Sequence, residues 1–128
     1  MKIFLISPVR EIDEAFKASV EAYVGQIEIG GDIVHWPLRD TKQDADSYSI
    51  VEQNRNAIKE ADEVRIAWDG KSMGSMLDLG MAHALGKRIL PVIGLFPKRT
   101  KGKSIQNFIH ELNDWMFWDD FDNPPTEE

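Results

Sequence analysis

Residues 66–89 read IAWDGKSMGSMLDLGMAHALGKRI, and the change in hydrophobic spacing along them decides the fold. Ile66, Ala67 and Trp68 close a short run that opens at Glu63, and a short apolar run bounded by turn residues reads as a buried strand. Asp69-Gly70-Lys71-Ser72-Met73-Gly74 is made of turn-favouring residues, so the strand stops there. Residues 75–85 read as a helix that Gly86 ends, because glycine tolerates the left-handed backbone of a helix C-terminus. Residues 88–94, RILPVIG, are a second buried strand. Strand, loop, helix and strand in this order predict a βαβ unit with parallel strands.

The same alternation extends outward. Residues 2–6 are an apolar run stopped by Ser7-Pro8. Residues 11–29 keep a helical spacing through Ile12, Phe16, Tyr23 and Ile27, and Gly30-Gly31 ends that helix. Residues 32–36 are a strand stopped by Pro37, residues 38–46 are a polar loop, and residues 47–61 are a helix carrying Ile50, Val51, Asn54 and Ile58. Beyond residue 94 come a basic loop at 97–103, a helix at 104–113 and a candidate fifth strand at 115–118. The expected fold is α/β: one doubly wound parallel sheet of four to five strands, flavodoxin- or Rossmann-like, with helices on both faces. Residues 1–118 form the domain and residues 119–128 an acidic tail. Ligands of such sheets bind beyond the carboxyl ends of the strands, which places residues 7–10, Pro37-Leu38 and residues 69–75 around one crevice.

Composition narrows the function. With 42% hydrophobic residues in 128, the chain can bury a core. No apolar run reaches the roughly 18 residues of a membrane span, and residues 1–6 are too short for a secretory signal. A cytoplasmic protein without a membrane partner is expected. The absence of cysteine excludes disulfides, thiolate metal sites and thiol nucleophiles. A net charge of −7 argues against a nucleic-acid partner. Seven acids and no Lys or Arg lie in residues 111–128, leaving fifteen charges of each sign in residues 1–110.

Several residues carry candidate chemistry, each beside a plainer role. The Gly/Ser loop at 69–75 opens a helix and can cradle an anion on backbone N–H groups, although it contains neither GxxxxGK[ST] nor GxGxxG. Glycine and serine there are equally a turn and a cap. Ser75-Met76-Leu77-Asp78 matches a capping box, while Asp78 is also placed to face the crevice as nucleophile or base. Trp36 and Trp68 can wall a pocket by stacking or pack the rim of the core. His35, His83 and His110 read as packing or surface histidines, since none has a partner at metal-ligand spacing.

The helix Asp78-Leu79-Gly80-Met81-Ala82-His83-Ala84-Leu85-Gly86-Lys87-Arg88-Ile89 resembles the signature of the nucleoside 2-deoxyribosyltransferase superfamily, which includes deoxynucleoside 5′-monophosphate N-glycosidases. That signature reads E-[LI]-G-x-A-x-x-x-x-K-[PR]-[IV]. IFLISPVR at residues 3–10 is similar to the family's first strand and phosphate-side loop, and NRNAIKEAD at 54–62 to its segment before the third strand. The resemblance spans most of residues 2–94.

It implies cleavage or transfer of an N-glycosidic bond through a carboxylate that attacks C1′ of the sugar, with no metal or other cofactor. Asp78 stands at the attacking position. Ser72 and Arg10 match residues that contact a 5′-phosphate, and Ser7, Gly74 and Ser75 line the same loops. Ser104 matches, loosely, a serine offered across a dimer interface, and Trp36 is the candidate base-stacking residue. A homodimer or higher homo-oligomer acting on a nucleoside or nucleotide is implied. Two positions depart from the family: Asp78 replaces Glu, and Asn54 replaces an aspartate that protonates or orients the leaving base. Asparagine cannot act as an acid. The alternative is therefore a catalytically weakened module that binds or senses a nucleotide or ribosyl metabolite, or a structural subunit whose tail meets a partner.

Overall fold

A computed structural model describes residues 1–94 and 96–112. The candidate strand at 115–118 and the acidic tail at 119–128 lie outside the described residues. Chain order is β1 (Lys2–Ile6), α1 (Glu14–Ile29), β2 (Ile33–His35), α2 (Pro37–Asp40), α3 (Ser47–Glu60), β3 (Glu63–Trp68), α4 (Met73–Ala84), β4 (Ile89–Gly94) and α5 (Ile105–Leu112). The four described strands form one parallel sheet in the order β2-β1-β3-β4.

Alternation along the strands builds two cores. In β1, Phe4 and Ile6 join Val64, Ile66, Trp68, Leu79 and Ile109 on one face. Ile3 and Leu5 join Val20, Val24, Val34 and Trp36 on the other. Both faces are covered, so Ile3–Ile6 are all no more than 2% exposed and read as a continuous apolar run. α1 lies on one side, and α3, α4 and α5 on the other.

Several boundaries differ from the sequence reading for local reasons. α1 begins at Glu14, capped by the Asp13 carboxylate on Phe16 N at 3.0 Å, because Glu11 sits at φ 53° and cannot be helical. Within the predicted loop 38–46, residues 37–40 make one helical turn. Pro37 pre-sets the first position, and Asp40 accepts from Trp36 N at 2.8 Å. α4 begins at Met73, capped by Ser72, whose hydroxyl accepts from Ser75 N at 3.1 Å. Ser75 is therefore not the cap, and Asp78 lies a turn deeper than a capping box requires. Gly86, at φ 71°, closes α4 as predicted: its N–H bonds His83 O while Lys87 N bonds Ala82 O.

β1 and β3 are neighbours at the centre, yet the chain leaves β1 toward β2 on one side and β3 toward β4 on the other. This reversal opens a crevice beyond their carboxyl ends.

Candidate active site

The segments after β1 and β3, with the facing sides of α3 and α4, enclose a cavity of about 820 Å3. The segment after β1 contributes Ser7, Val9, Arg10 and Glu11, and the segment after β3 contributes Asp69, Lys71 and Ser72. α3 supplies Ile50, Val51 and Asn54, and α4 supplies Gly74, Leu77 and Asp78. This volume falls within the usual range of small-molecule sites.

The loop after β3 is shaped by its own side chains. Asp69 Oδ1 accepts from Lys71 N at 3.0 Å and Ser72 N at 2.9 Å, which turns the chain into α4. Helical spacing then puts Ser75, Asp78, Leu79 and Ala82 on the buried face. Asp78 is only 6% exposed. Its Oδ1 accepts from Asn54 Nδ2 at 3.4 Å, a long bond to a neutral donor. Burial pushes its carboxyl up from the ordinary 3.8 to about 6, and the Asn54 bond only partly offsets this. Near neutral pH the group is ionised yet poorly solvated, the condition that suits a nucleophile or base.

Asn54 is held from behind. Its Oδ1 accepts from Thr41 Oγ1 at 2.7 Å, and Thr41 Oγ1 lies 2.8 Å from His35 Nε2. Arg10 and Lys71 border the cavity, and neither forms an ion pair among the described residues. They line it beside the acids Glu11 and Asp69, so charges of both signs border the cavity near Ser72 and the start of α4.

Of the residues singled out in the sequence, Ser7, Arg10, Asn54, Ser72, Gly74 and Asp78 surround this cavity. Four lie elsewhere. Trp36 is 3% exposed in the core, where its Nε1 donates to Ser7 Oγ at 2.9 Å, and it does not line the cavity. Trp68 is likewise buried. Ser75 is 1% exposed, and its hydroxyl has no hydrogen-bond partner among the described residues. Ser104 is exposed and caps α5 by accepting from Asn107 N at 3.0 Å.

Thr41 and His35 stand behind Asn54 without lining the cavity, and sequence reasoning did not connect either with it. Thr41 sits in a polar stretch without periodicity and gave no signal. His35 carried only the reading of a packing residue, and it does stack on Phe4 with centroids 5.4 Å apart. Asn54 was reached through the family resemblance, and the structure places it as a buried polar residue on α3.

A parallel four-stranded sheet among the described residues, with a carboxylate-bearing crevice at its switch point, defines the class as a parallel α/β fold, in which ligands bind at that point. No protein-family model matches the chain, and no curated protein matches it. Among solved structures it is similar to the CMP N-glycosidase BcmB of Clostridium botulinum, with TM-score 0.63, 19% identity, and 89% of this chain and 84% of that one covered. It is also similar to the 2-deoxyribosyltransferase of Bacillus psychrosaccharolyticus, with TM-score 0.64, 20% identity, and 99% and 98% covered. A third likeness is to the 2-desoxiribosyltransferase of Leishmania mexicana, with TM-score 0.60, 17% identity, and 77% and 67% covered. The chain thus has a nucleoside 2-deoxyribosyltransferase-like fold.

Proposed function

We propose that this protein binds a nucleoside or nucleotide in the cavity and cleaves or transfers its N-glycosidic bond, with Asp78 as the nucleophile. One observation carries the reading: a buried carboxylate with a single amide partner opens on a cavity bordered by Arg10, Lys71 and Ser72. The N-glycosidase and deoxyribosyltransferase activities named for the structural neighbours support it.

In this mechanism an Asp78 oxygen attacks C1′ as the C1′–N bond breaks. The bonding pair leaves with the base, which takes a proton from water, because Asn54 donates a hydrogen bond but has no acidic proton. The glycosyl ester on Asp78 is then resolved by water or by a second base, with net retention at C1′. Arg10, Lys71 and Ser72 anchor a 5′-phosphate and so orient the sugar. No step calls for a metal or another cofactor.

The test is base release from a panel of nucleosides, deoxynucleosides and their 5′-monophosphates, with Asp78→Ala as control. Release by the wild type that falls at least roughly a hundredfold in the variant is expected. Equal release by both removes Asp78 from the chemistry. A sensing role without turnover is favoured by one feature, the amide at position 54 in place of an acid. It predicts thermal stabilisation by nucleotides with no base release.

Assembly and location belong to the same proposal. A homodimer or higher homo-oligomer is supported by the exposed apolar residues Met73 and Leu77, which line the cavity. A cytoplasmic location is the accompanying expectation. Among the described residues no helix is long and apolar enough to cross a membrane.

A further inference from the structure

We propose that Thr41 is a positioning residue for this site: with His35 behind it, its hydroxyl locks the Asn54 amide with the nitrogen turned toward the Asp78 carboxylate. The inference rests on the reading of Asp78 as the working carboxylate, but its geometry is independent of the substrate.

Proton counting fixes the direction of the chain. A threonine hydroxyl has one proton to give. Thr41 Oγ1 is within hydrogen-bond distance of both Asn54 Oδ1, at 2.7 Å, and His35 Nε2, at 2.8 Å, so it donates to one and accepts from the other. Were it to donate to His35, it would have to accept from Asn54, and the amide would turn its oxygen toward Asp78. Two acceptors would then face each other where Asn54 Nδ2 and Asp78 Oδ1 now stand 3.4 Å apart. An ionised Asp78 excludes that arrangement. The chain therefore runs one way: His35 Nε2–H to Thr41 Oγ1, Thr41 O–H to Asn54 Oδ1, and Asn54 Nδ2–H to Asp78 Oδ1.

The local structure holds this chain in place. Thr41 is 4% exposed and ends the α2 turn, where its N–H bonds Pro37 O at 3.1 Å. His35 is fixed in β2 and stacked on Phe4, and burial draws its pKa below the ordinary histidine value, so it is neutral near pH 7. A neutral imidazole carries its proton on one nitrogen only, and the chain requires that nitrogen to be Nε2. The second proton of Asn54 Nδ2 remains for the cavity.

The other groups that can influence Asp78 are few. Arg10 and Glu11 border the cavity after β1, and Asp69 and Lys71 after β3. Apart from Asn54, α3 presents Ser47, Ile50 and Val51 to the cavity, none of them titratable. His35 meets the chain at Thr41, and the charged groups acting on it are Asp40 and Arg39.

The experiment is a carbon-13 NMR titration of aspartate carboxyls in the full chain, comparing wild type, Thr41→Val and Thr41→Ser. Valine keeps the volume and removes the hydroxyl, whereas serine keeps the hydroxyl. In Thr41→Val the amide loses the donor on its Oδ1 and is held by Asp78 alone, and the Asp78 midpoint is expected to move up by roughly one pH unit. Thr41→Ser is expected to titrate like the wild type. An unmoved midpoint in Thr41→Val, or an equal shift in both variants, overturns the proposal.

A second measurement needs no variant. Nitrogen-15 spectra of the wild type at about pH 8 are expected to show His35 as the Nε2–H tautomer, and the Nδ1–H tautomer overturns the proposal. Both readouts are independent of turnover. A chain that releases no base but shows these signatures refutes the proposed reaction and keeps the positioning role. Asp78-dependent base release without them does the reverse.

Discussion

Replacing Asp78 with asparagine tests the central physical claim without any substrate. In the unfolded chain this carboxyl titrates near the ordinary 3.8, and in the fold near about 6. Between those values the folded state binds more protons than the unfolded state, so stability falls as pH rises. The loss begins near pH 4, grows through pH 6 and is complete above it. At about 1.4 kcal/mol per pH unit, the gap between 3.8 and about 6 amounts to about 3 kcal/mol. Exposure of only 6% leaves little solvent to reduce that figure. The asparagine of the Asp78→Asn variant keeps the shape and an oxygen for Asn54 Nδ2 but carries no charge. Urea unfolding of both proteins is therefore expected to give similar stabilities at pH 4. By pH 8 the Asp78→Asn variant is expected to be more stable by up to about 3 kcal/mol, or roughly 10 °C in Tm for a chain of this size. A difference that is the same at pH 4 and pH 8 refutes the claim that Asp78 is held ionised at a cost.

Other expectations are simpler. Arg10→Ala and Lys71→Ala each weaken binding of a 5′-monophosphate about tenfold in calorimetry, with little effect on the matching nucleoside; equal losses for both ligands refute the phosphate assignment. Gly94→Ala places a Cβ 2.0 Å from Trp68 O at a φ of 132°, so unfolding free energy is expected to fall by more than about 2 kcal/mol. An unchanged denaturation midpoint for that variant contradicts the close approach of β4 to β3.

The alternation of elements was legible because its signals are local. Continuous apolar runs such as Ile3–Ile6 mark strands covered on both faces. Gly86 marks the end of α4 by the one backbone conformation the turn requires. Helix starts were read less well. Ser72 and Ser75 both suit a cap, and only the hydrogen bond of Asp69 to Ser72 N, which swings the loop into α4, decides between them. α2 was missed because one turn is too short to show a hydrophobic period.

For the site, the loops after β1 and β3 could be placed because β/α alternation dictates where strand ends meet, whereas Pro37 and Leu38, expected there on the same ground, do not line the cavity, and Asn54 came from the family resemblance. Thr41 could not be placed. Its place depends on the packing of a four-residue turn against α3, which no spacing encodes. Trp36 points the same way: a large aromatic at a strand end fits a pocket wall and a core equally well, and the bond from its indole N–H to Ser7 settles it in the core.

The buried polar groups of this fold differ in what they accomplish. Asn107, 2% exposed, bonds Thr100 N, Thr100 Oγ1 and Gly102 O and so ties a loop to α5. Glu63 sits against Arg65 at 2.8 Å and Arg88 at 3.7 Å. Asp78 does none of this work. Ser72 already caps α4, no cation among the described residues reaches the Asp78 carboxylate, and its one amide bond is long. An asparagine in its place would keep the contact to Asn54 and avoid a desolvation cost of about 3 kcal/mol. Packing and folding therefore give no reason for an acid at this position, whereas attack on an electrophilic carbon in the adjoining cavity requires one. That asymmetry, more than the likeness of fold, is what supports the proposed chemical role of Asp78.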